Sequence, residues 1–496
     1  MSKELKERTK IAVFWNIFNI LFSKTSRLIT SIILARILFP EDFGLYGLTL
    51  IVIRFGRRLT NFGFSTVLIQ KKEIDKKEID TVFSASLAIN LLVFGVLFVG
   101  APYFSQFVHS ARVINLVRVI SISFILNTFI MTAESLLKRE LNFKGISIAR
   151  SARSITSYSI AIVLALLNFG VWSLIIGEIA SVFVNMVLVI IFARFVPRLY
   201  FKMSIFKNLY SYGMRVSFVQ YLNYFINNID YLLIGRFLGT EALGYYERAF
   251  NLMDMTRRQV GRSMNEALFS AFSRIKEDAE RVVKNLRQVL SYTSLVAYPI
   301  LIALIFMAPS LVYNLYGPKW VNTIVPLQIM CVSGLVKTII STFFPVIFAM
   351  DFINQRIKAQ IIYLILLGGM IFLFIPYGIN GVAVAVVISS LIYGILILRI
   401  ILKGLPFSLA DFWKTQKAPI LYSSFQIVFS LIALKFALLY FDIKSIPMFF
   451  ILALTSLIAL LTAHLIFRDV TYKNLVNEVT VVFQKFRKST GKAVSK

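Results

Sequence analysis

From about residue 11 the chain alternates apolar stretches of about 20 residues or more with short polar breaks, a pattern that predicts about fourteen membrane-spanning helices. The predicted spans are 11–38, 42–69, 79–101, 111–136, 145–168, 170–194, 208–238, 241–270, 282–313, 321–349, 355–376, 379–402, 417–441 and 445–467. The polar breaks are of two kinds. One set carries basic clusters: Lys71-Lys72 with Lys76-Lys77, Lys138-Arg139, 194–207, 274–287, Arg356 with Lys358, and 399–417. The alternate set is short and nearly free of cations, as at 39–44, 168–170 and 377–380, and only Lys319 and Lys444 break the pattern. Cytoplasmic loops retain Lys and Arg, so the alternation supports the span count and predicts that both termini are cytoplasmic.

Composition agrees with this reading. Of 496 residues, 58% are hydrophobic and 16% charged, more apolar surface than a water-soluble domain can hide. The fold class is therefore an all-α polytopic membrane protein. A net charge of +29 would suggest nucleic acid in a soluble chain. Here basic inner loops and cations inside the spans account for it, and no nucleic-acid partner is expected. The single cysteine, Cys331, excludes an internal disulfide. The basic N-terminal stretch precedes a segment too long for a signal h-region, so it reads as an uncleaved first span. The tail at 469–496 has apolar residues at helical spacing among lysines and arginines. It reads either as an amphipathic helix on an anionic inner leaflet or as a solvated tail.

The chain repeats itself at an offset of 200 residues. Arg36, Leu38, Glu41, Gly44 and Tyr46 return as Arg236, Leu238, Glu241, Gly244 and Tyr246, and Arg57-Arg58 return as Arg257-Arg258. Each copy holds six spans, an even number, so both enter the membrane in the same direction. That makes a parallel repeat about an axis along the membrane normal, with a transport site expected between the halves. The organisation read from this is an N-lobe at 1–200, a C-lobe at 201–403, two further spans in 404–468 and the tail at 469–496. Arg36, Glu41 and Gly44, with Arg236, Glu241 and Gly244, are read as a structural hairpin motif. A cation suits a helix end, and glycine permits close helix approach.

The chemistry lies in the charges at membrane depth. Each costs at least about 2.5–3.5 kcal/mol on insertion scales and usually faces a bundle interior or a watery cavity. Arg54, Arg57 and Arg58 share one face of the second span, about 18–24 Å along it at 1.5 Å per residue, near the midplane. Lys24 and Arg27 lie at mid-membrane in the first span. The second half offers Arg215, Arg257, Arg258 and Lys337, partly neutralised by Asp230 and Asp254. Spans one and two hold no acidic residue beside their cations. Glu134 and Glu178 can reach across, yet cations still predominate. The excess points to a cavity for an anionic substrate rather than to internal ion pairs alone, and arginine's planar fork suits phosphate oxygens.

Other chemistry is absent. No Gly-rich phosphate loop with Lys-Ser/Thr occurs, His109 and His464 are the only histidines, and no cofactor or metal site is expected. No segment outside the spans exceeds about 30 residues, too short for a transferase domain, so the chain is not read as an enzyme.

The segment 33–46, followed by Asn61-Phe-Gly-Phe-Ser-Thr-Val-Leu-Ile-Gln70, resembles the opening of Wzx-type oligosaccharide flippases. These are polysaccharide transporters of the multidrug/oligosaccharidyl-lipid/polysaccharide superfamily. Span count, topology and duplication extend the resemblance along nearly the whole chain, while the specific motif is confined to the first two spans and its echo at 235–246. The resemblance implies two six-helix lobes in a V around a cationic central cavity, with two extra C-terminal helices. It implies transport of a polyprenyl-pyrophosphate-linked glycan from the inner to the outer leaflet of the cytoplasmic membrane by alternating access. Access would be lateral, between the first helices of the lobes. An ion gradient or the membrane potential would drive it, coupled through Asp230, Asp254 or Glu178. Membrane lipids, and polymerase and export proteins of the same pathway, are the implied partners of a monomer. A lipid II flippase or a multidrug or ion antiporter of the same superfamily stays open as an alternative. A polysaccharide polymerase or ligase ranks behind these, because the outer loops are short.

Overall fold

The computed structural model describes residues 15, 22–23, 25–60, 68–69, 71, 74–203 and 222–467, and every regular element among them is helical. Lys24, Arg215, residues 61–67 and the tail at 469–496 lie outside the described residues. The helices are α1 (25–37), α2 (Pro40–Thr60), α3 (Lys76–Val108), α4 (Arg112–Ser121), α5 (Ser123–Arg139), α6 (Phe143–Leu166), α7 (Val171–Ala193) and α8 (Ile229–Phe237). They continue as α9 (Gly239–Arg274), α10 (Ala279–Tyr316), α11 (Ile324–Ala349), α12 (Ile353–Phe374), α13 (Gly378–Gly404), α14 (Leu409–Ala437) and α15 (Ile446–Phe467).

Eight helical stretches among the described residues are long and apolar enough to cross a membrane. The protein is a multi-pass membrane protein. Helices α2, α6 and α9 are not among the eight, and they carry Arg54, Arg57, Arg58, Arg150, Arg153, Arg257 and Arg258. The same charges that suggest a site thus lower the apolar signal of the helices that hold them.

Two predicted spans are interrupted. The fourth, 111–136, is built from α4 and α5 with a turn at Ile122 between them. The described part of the seventh is helical at 222–226, turns at Asn227-Asn228 and resumes as α8. There the Asn227 Nδ2 donates to the Asn223 carbonyl (2.5 Å) and the Asn228 Nδ2 to the Tyr224 carbonyl (2.7 Å). Asparagine side chains that bond nearby backbone offer it an alternative to the helical ladder.

By its contacts the chain divides between Glu247 and Arg248, within α9. In the first unit α6 packs along α7, α5 packs on α3 and α7, and α2 packs against α3, α4, α7 and α8. Gly177 makes the α6–α7 approach possible, since a Cβ there would lie 2.8 Å from the Ser157 carbonyl oxygen. A compact cluster of Phe83, Ile130, Leu137, Ile146, Val182 and Val189 fills the space between α3, α5, α6 and α7.

In the second unit α11 packs on α10 and α13, and α12 on α13. Helices α14 and α15 pair with each other and lie on α10. On α15 the buried residues are Met448, Leu452, Ser456, Ala459 and Ala463, a narrow stripe of mostly small side chains at three- and four-residue spacing. Phe450, Leu454, Leu461 and Leu465 face outward. Apolar residues outside and small residues at the helix contact are what a lipid solvent permits, because lipid tails give no hydrophobic drive to bury large side chains.

Candidate functional site

Helix α2 carries the first arginine cluster. Pro40 sits in its first turn, where its missing N–H costs nothing, and the Asp42 carboxylate accepts from the Phe39 N–H (3.0 Å). Ile51, Ile53 and Gly56 are buried, and a Cβ on Gly56 would collide with the Phe124 ring. That contact fixes which way the helix is turned, and Arg54, Arg57 and Arg58 come out exposed.

A carboxylate from α7 reaches this cluster. Glu178 Oε1 lies 2.8 Å from Arg153 Nη2 of α6 and 3.7 Å from Arg57 Nη2. Glu134 instead takes Arg150 at 2.8 Å and Lys138 at 3.4 Å. Neither Arg27 nor Arg54 has a carboxylate among the described residues within ion-pair distance. The Tyr224 hydroxyl donates to the Ile51 carbonyl (2.6 Å) and its ring packs on Phe55 at 5.4 Å, which ties residues 222–226 to α2. The result, among the described residues, is an exposed group of guanidinium ions in which Arg57 shares Glu178 with Arg153, suited to an anion of more than one charge.

The corresponding pair in the second unit is held more tightly. Asp254 is buried and receives both arginines: Arg257 Nη2 at 2.7 Å and Nε at 3.2 Å on Oδ1, and Arg258 Nε at 2.5 Å on Oδ2. The spacing explains the geometry, since residues three and four positions on lie over the same helical face. Lys337 stands 5.5 Å from the Phe250 ring centre. Arg248 is buried against Tyr316 and Trp320, with its guanidinium 5.9 and 5.7 Å from the ring centres.

Asp230 is buried in the first unit, where it accepts from the Tyr246 hydroxyl (2.7 Å) and the Tyr231 N–H (3.0 Å). The hairpin residues lie at the ends of α1, α2, α8 and α9. A Cβ on Gly44 would collide with the Thr240 carbonyl, and one on Gly244 with the Pro40 carbonyl. Residues 40 and 240 are themselves equivalent at the 200-residue offset, so the contact is reciprocal. The charged members diverge. Glu41 pairs with Arg112 (3.0 Å), whereas Glu241 accepts from the Tyr245 hydroxyl (2.9 Å). Arg36 closes α1 and is exposed, while Arg236 donates to the Phe107 carbonyl (2.6 Å) and lies 2.6 Å from His109 Nε2.

A family model described as "Polysaccharide biosynthesis protein" matches residues 33–325, which takes in α2 and the arginine pairs of both repeats. The chain belongs to this family. It is 25% identical over 68% of its length to the Lipopolysaccharide biosynthesis protein WzxC of Escherichia coli, covering 68% of that protein. It is 27% identical to the Succinoglycan biosynthesis transport protein ExoT of Rhizobium meliloti, over 67% of each chain. Among solved structures it shares the fold of a lipid II flippase, MurJ, in an inward closed conformation, with a TM-score of 0.75 over 94% of this chain and all of that one, at 16% identity. The Wzx-type resemblance in the first two spans therefore holds for the family.

Of the residues singled out by sequence, the structure brings Arg57 to Glu178, and Arg257 and Arg258 to Asp254. Asp230 stands apart in its own tyrosine contact. Arg153 joins the cluster although no periodicity singles it out. It sits on α6 and its partner on α7, and spacing along a chain says nothing about pairs on different helices.

Proposed function

We propose that this protein moves a polyprenyl-pyrophosphate-linked oligosaccharide across the cytoplasmic membrane for surface polysaccharide export. The observation that carries the reading is the arginine cluster Arg54, Arg57 and Arg58, exposed on α2 within a predicted span and repeated in part as Arg257-Arg258. A guanidinium cluster at membrane depth is costly unless it faces water or an anion, and a pyrophosphate supplies several acceptor oxygens at once. Membership of a polysaccharide biosynthesis family supports this, as does similarity to proteins named for lipopolysaccharide and succinoglycan biosynthesis. On this reading both termini are cytoplasmic, the lobes are 1–200 and 201–403, and the two helices after them are accessory. Lys24, Arg27, Arg215 and Lys337 add to the positive potential of the route. The chain acts as a monomer and makes no covalent bond to its cargo. An ion gradient or the membrane potential drives it, with Asp230, Asp254 and Glu178 as the coupling carboxylates.

Arg57→Ala is expected to insert normally while the lipid-linked oligosaccharide accumulates on the inner leaflet, and Arg258→Ala likewise. Extraction of lipid-linked glycans and a leaflet-accessibility assay measure this; unchanged export in both single variants and in the double variant defeats the reading. Arg57→Lys should be impaired as well, because an ammonium lacks the two-pronged donor geometry. The fold shared with a lipid II flippase favours lipid II as the second reading. The chemical identity of the glycan that accumulates on deletion separates the two.

A further inference from the structure

In both repeats a carboxylate reaches the arginine pair, both members of it in the second repeat and Arg57 in the first. Asp254 binds Arg257 and Arg258 with both of its oxygens, at 2.7 and 2.5 Å, and it is buried at 8% exposure. Glu178 lies on Arg57 at 3.7 Å while holding Arg153 at 2.8 Å. Glu178 reaches in from another helix. Asp254 comes from within α9, at the place where the first repeat has Arg54. The second repeat has exchanged a cation for an anion that contacts both members of its own pair.

An anion that bonds the same guanidinium edges cannot share them with a carboxylate. We infer that Asp254, and more weakly Glu178, are placeholder anions that a pyrophosphate must displace, so that they set how readily the cargo is released. This rests on the reading of the arginines as a pyrophosphate site. The physical reason for such a device is that a transporter gains nothing from unlimited affinity, because cargo held as tightly as the bare arginines allow would not leave. A carboxylate returning to the guanidinium ions spares them an unpaired state in a low-dielectric setting and lowers the barrier to release. Asp254 is thus a positioning residue, acting through Arg257 and Arg258.

The test uses the full-length protein in phosphatidylcholine nanodiscs, with farnesyl pyrophosphate as the probe. Asp254→Asn removes the competing charge, so the Kd should fall about tenfold, the size expected from losing a charge-assisted hydrogen bond to a competitor. Export in cells should slow at the same time, a split between binding and turnover that simple loss of structure does not produce. Asp254→Glu keeps a carboxylate and should stay near the wild-type Kd. Glu178→Gln should tighten binding less, since its contact with Arg57 is longer, and Glu134→Gln should leave the Kd unchanged. If the wild type binds but Asp254→Asn binds equally or more weakly, displacement is overturned and the functional reading stands. If the wild type does not bind farnesyl pyrophosphate, that reading falls and displacement with it. Should Asp254→Asn fail to fold, carbodiimide modification of the wild type decides. A displaced Asp254 reacts faster with farnesyl pyrophosphate present, and unchanged or slower modification overturns the proposal.

Discussion

A hydrogen is all that Gly44 carries, and the carbonyl of Thr240 fills the space where a methyl group would sit. Because the obstacle is backbone, a larger side chain cannot be accommodated by rotating a neighbour. Gly44→Ala is expected to cost about 1–3 kcal/mol by overpacking, seen as a lowered melting temperature in detergent. Gly95→Ala, inside α3 with nothing within 4 Å, should hold or raise that temperature, because alanine favours the helix. The sequence marks Gly44 through its repetition as Gly244, and close approach is the expected use of such a pair. The repetition does not reveal that each glycine meets the other copy's residue 40 or 240. The arginines divide in the same way. Charge inside an apolar run is visible to any reader of the chain, whereas the pairing of Glu178 with both Arg153 and Arg57 joins three helices and leaves no local trace.

Helix ends follow local rules more closely than helix contacts do. Ser408-Leu-Ala-Asp411 is a capping box at the start of α14: the Asp411 N–H donates to the Ser408 hydroxyl (3.1 Å) and the Ser408 N–H to the Asp411 carboxylate (3.0 Å). Ser408→Ala should therefore cost about 1 kcal/mol, measured by thermal unfolding, with Ser408→Thr close to wild type. The same carboxylate also receives Arg287 of α10 at 2.8 Å, a partner 124 positions earlier that no turn rule supplies. Interruptions were less legible than caps. Apolar content alone joins 111–136 into one span, and only the structure breaks it at Ile122, between α4 and α5. At Asn227-Asn228 the signal was present as two adjacent asparagines, but a polar face on a buried helix reads the same way until their side chains are seen on backbone carbonyls.

For the whole molecule the sequence predicts a sidedness, because basic and cation-poor loops alternate. Cys331 is fully buried and gives little background to thiol reagents, so introduced cysteines can report it. A membrane-impermeant maleimide should label Phe169→Cys in intact cells and Lys76→Cys only once the inner face is opened; the reverse pattern would invert the topology. Hydropathy, loop charge and the 200-residue repeat are properties of the chain taken in order, so the sequence by itself determined the membrane class, the helical fold, the duplication and the presence of cations within the predicted spans. Which helices touch was decided by tertiary structure alone. Helices α14 and α15 lie on α10, through Tyr422 and Ala463 beside Leu295 and through Met448 and Leu452 beside Phe306, and nothing in their own pattern names that partner. Lipid solvates every apolar face equally, so a membrane helix chooses its neighbours by shape, small residues and a few polar contacts. Those are pairwise matches between distant segments, and the contact of Glu178 with Arg57 and Arg153 is one of them, whereas Asp254 meets Arg257 and Arg258 by spacing along a single helix and was already legible in the chain.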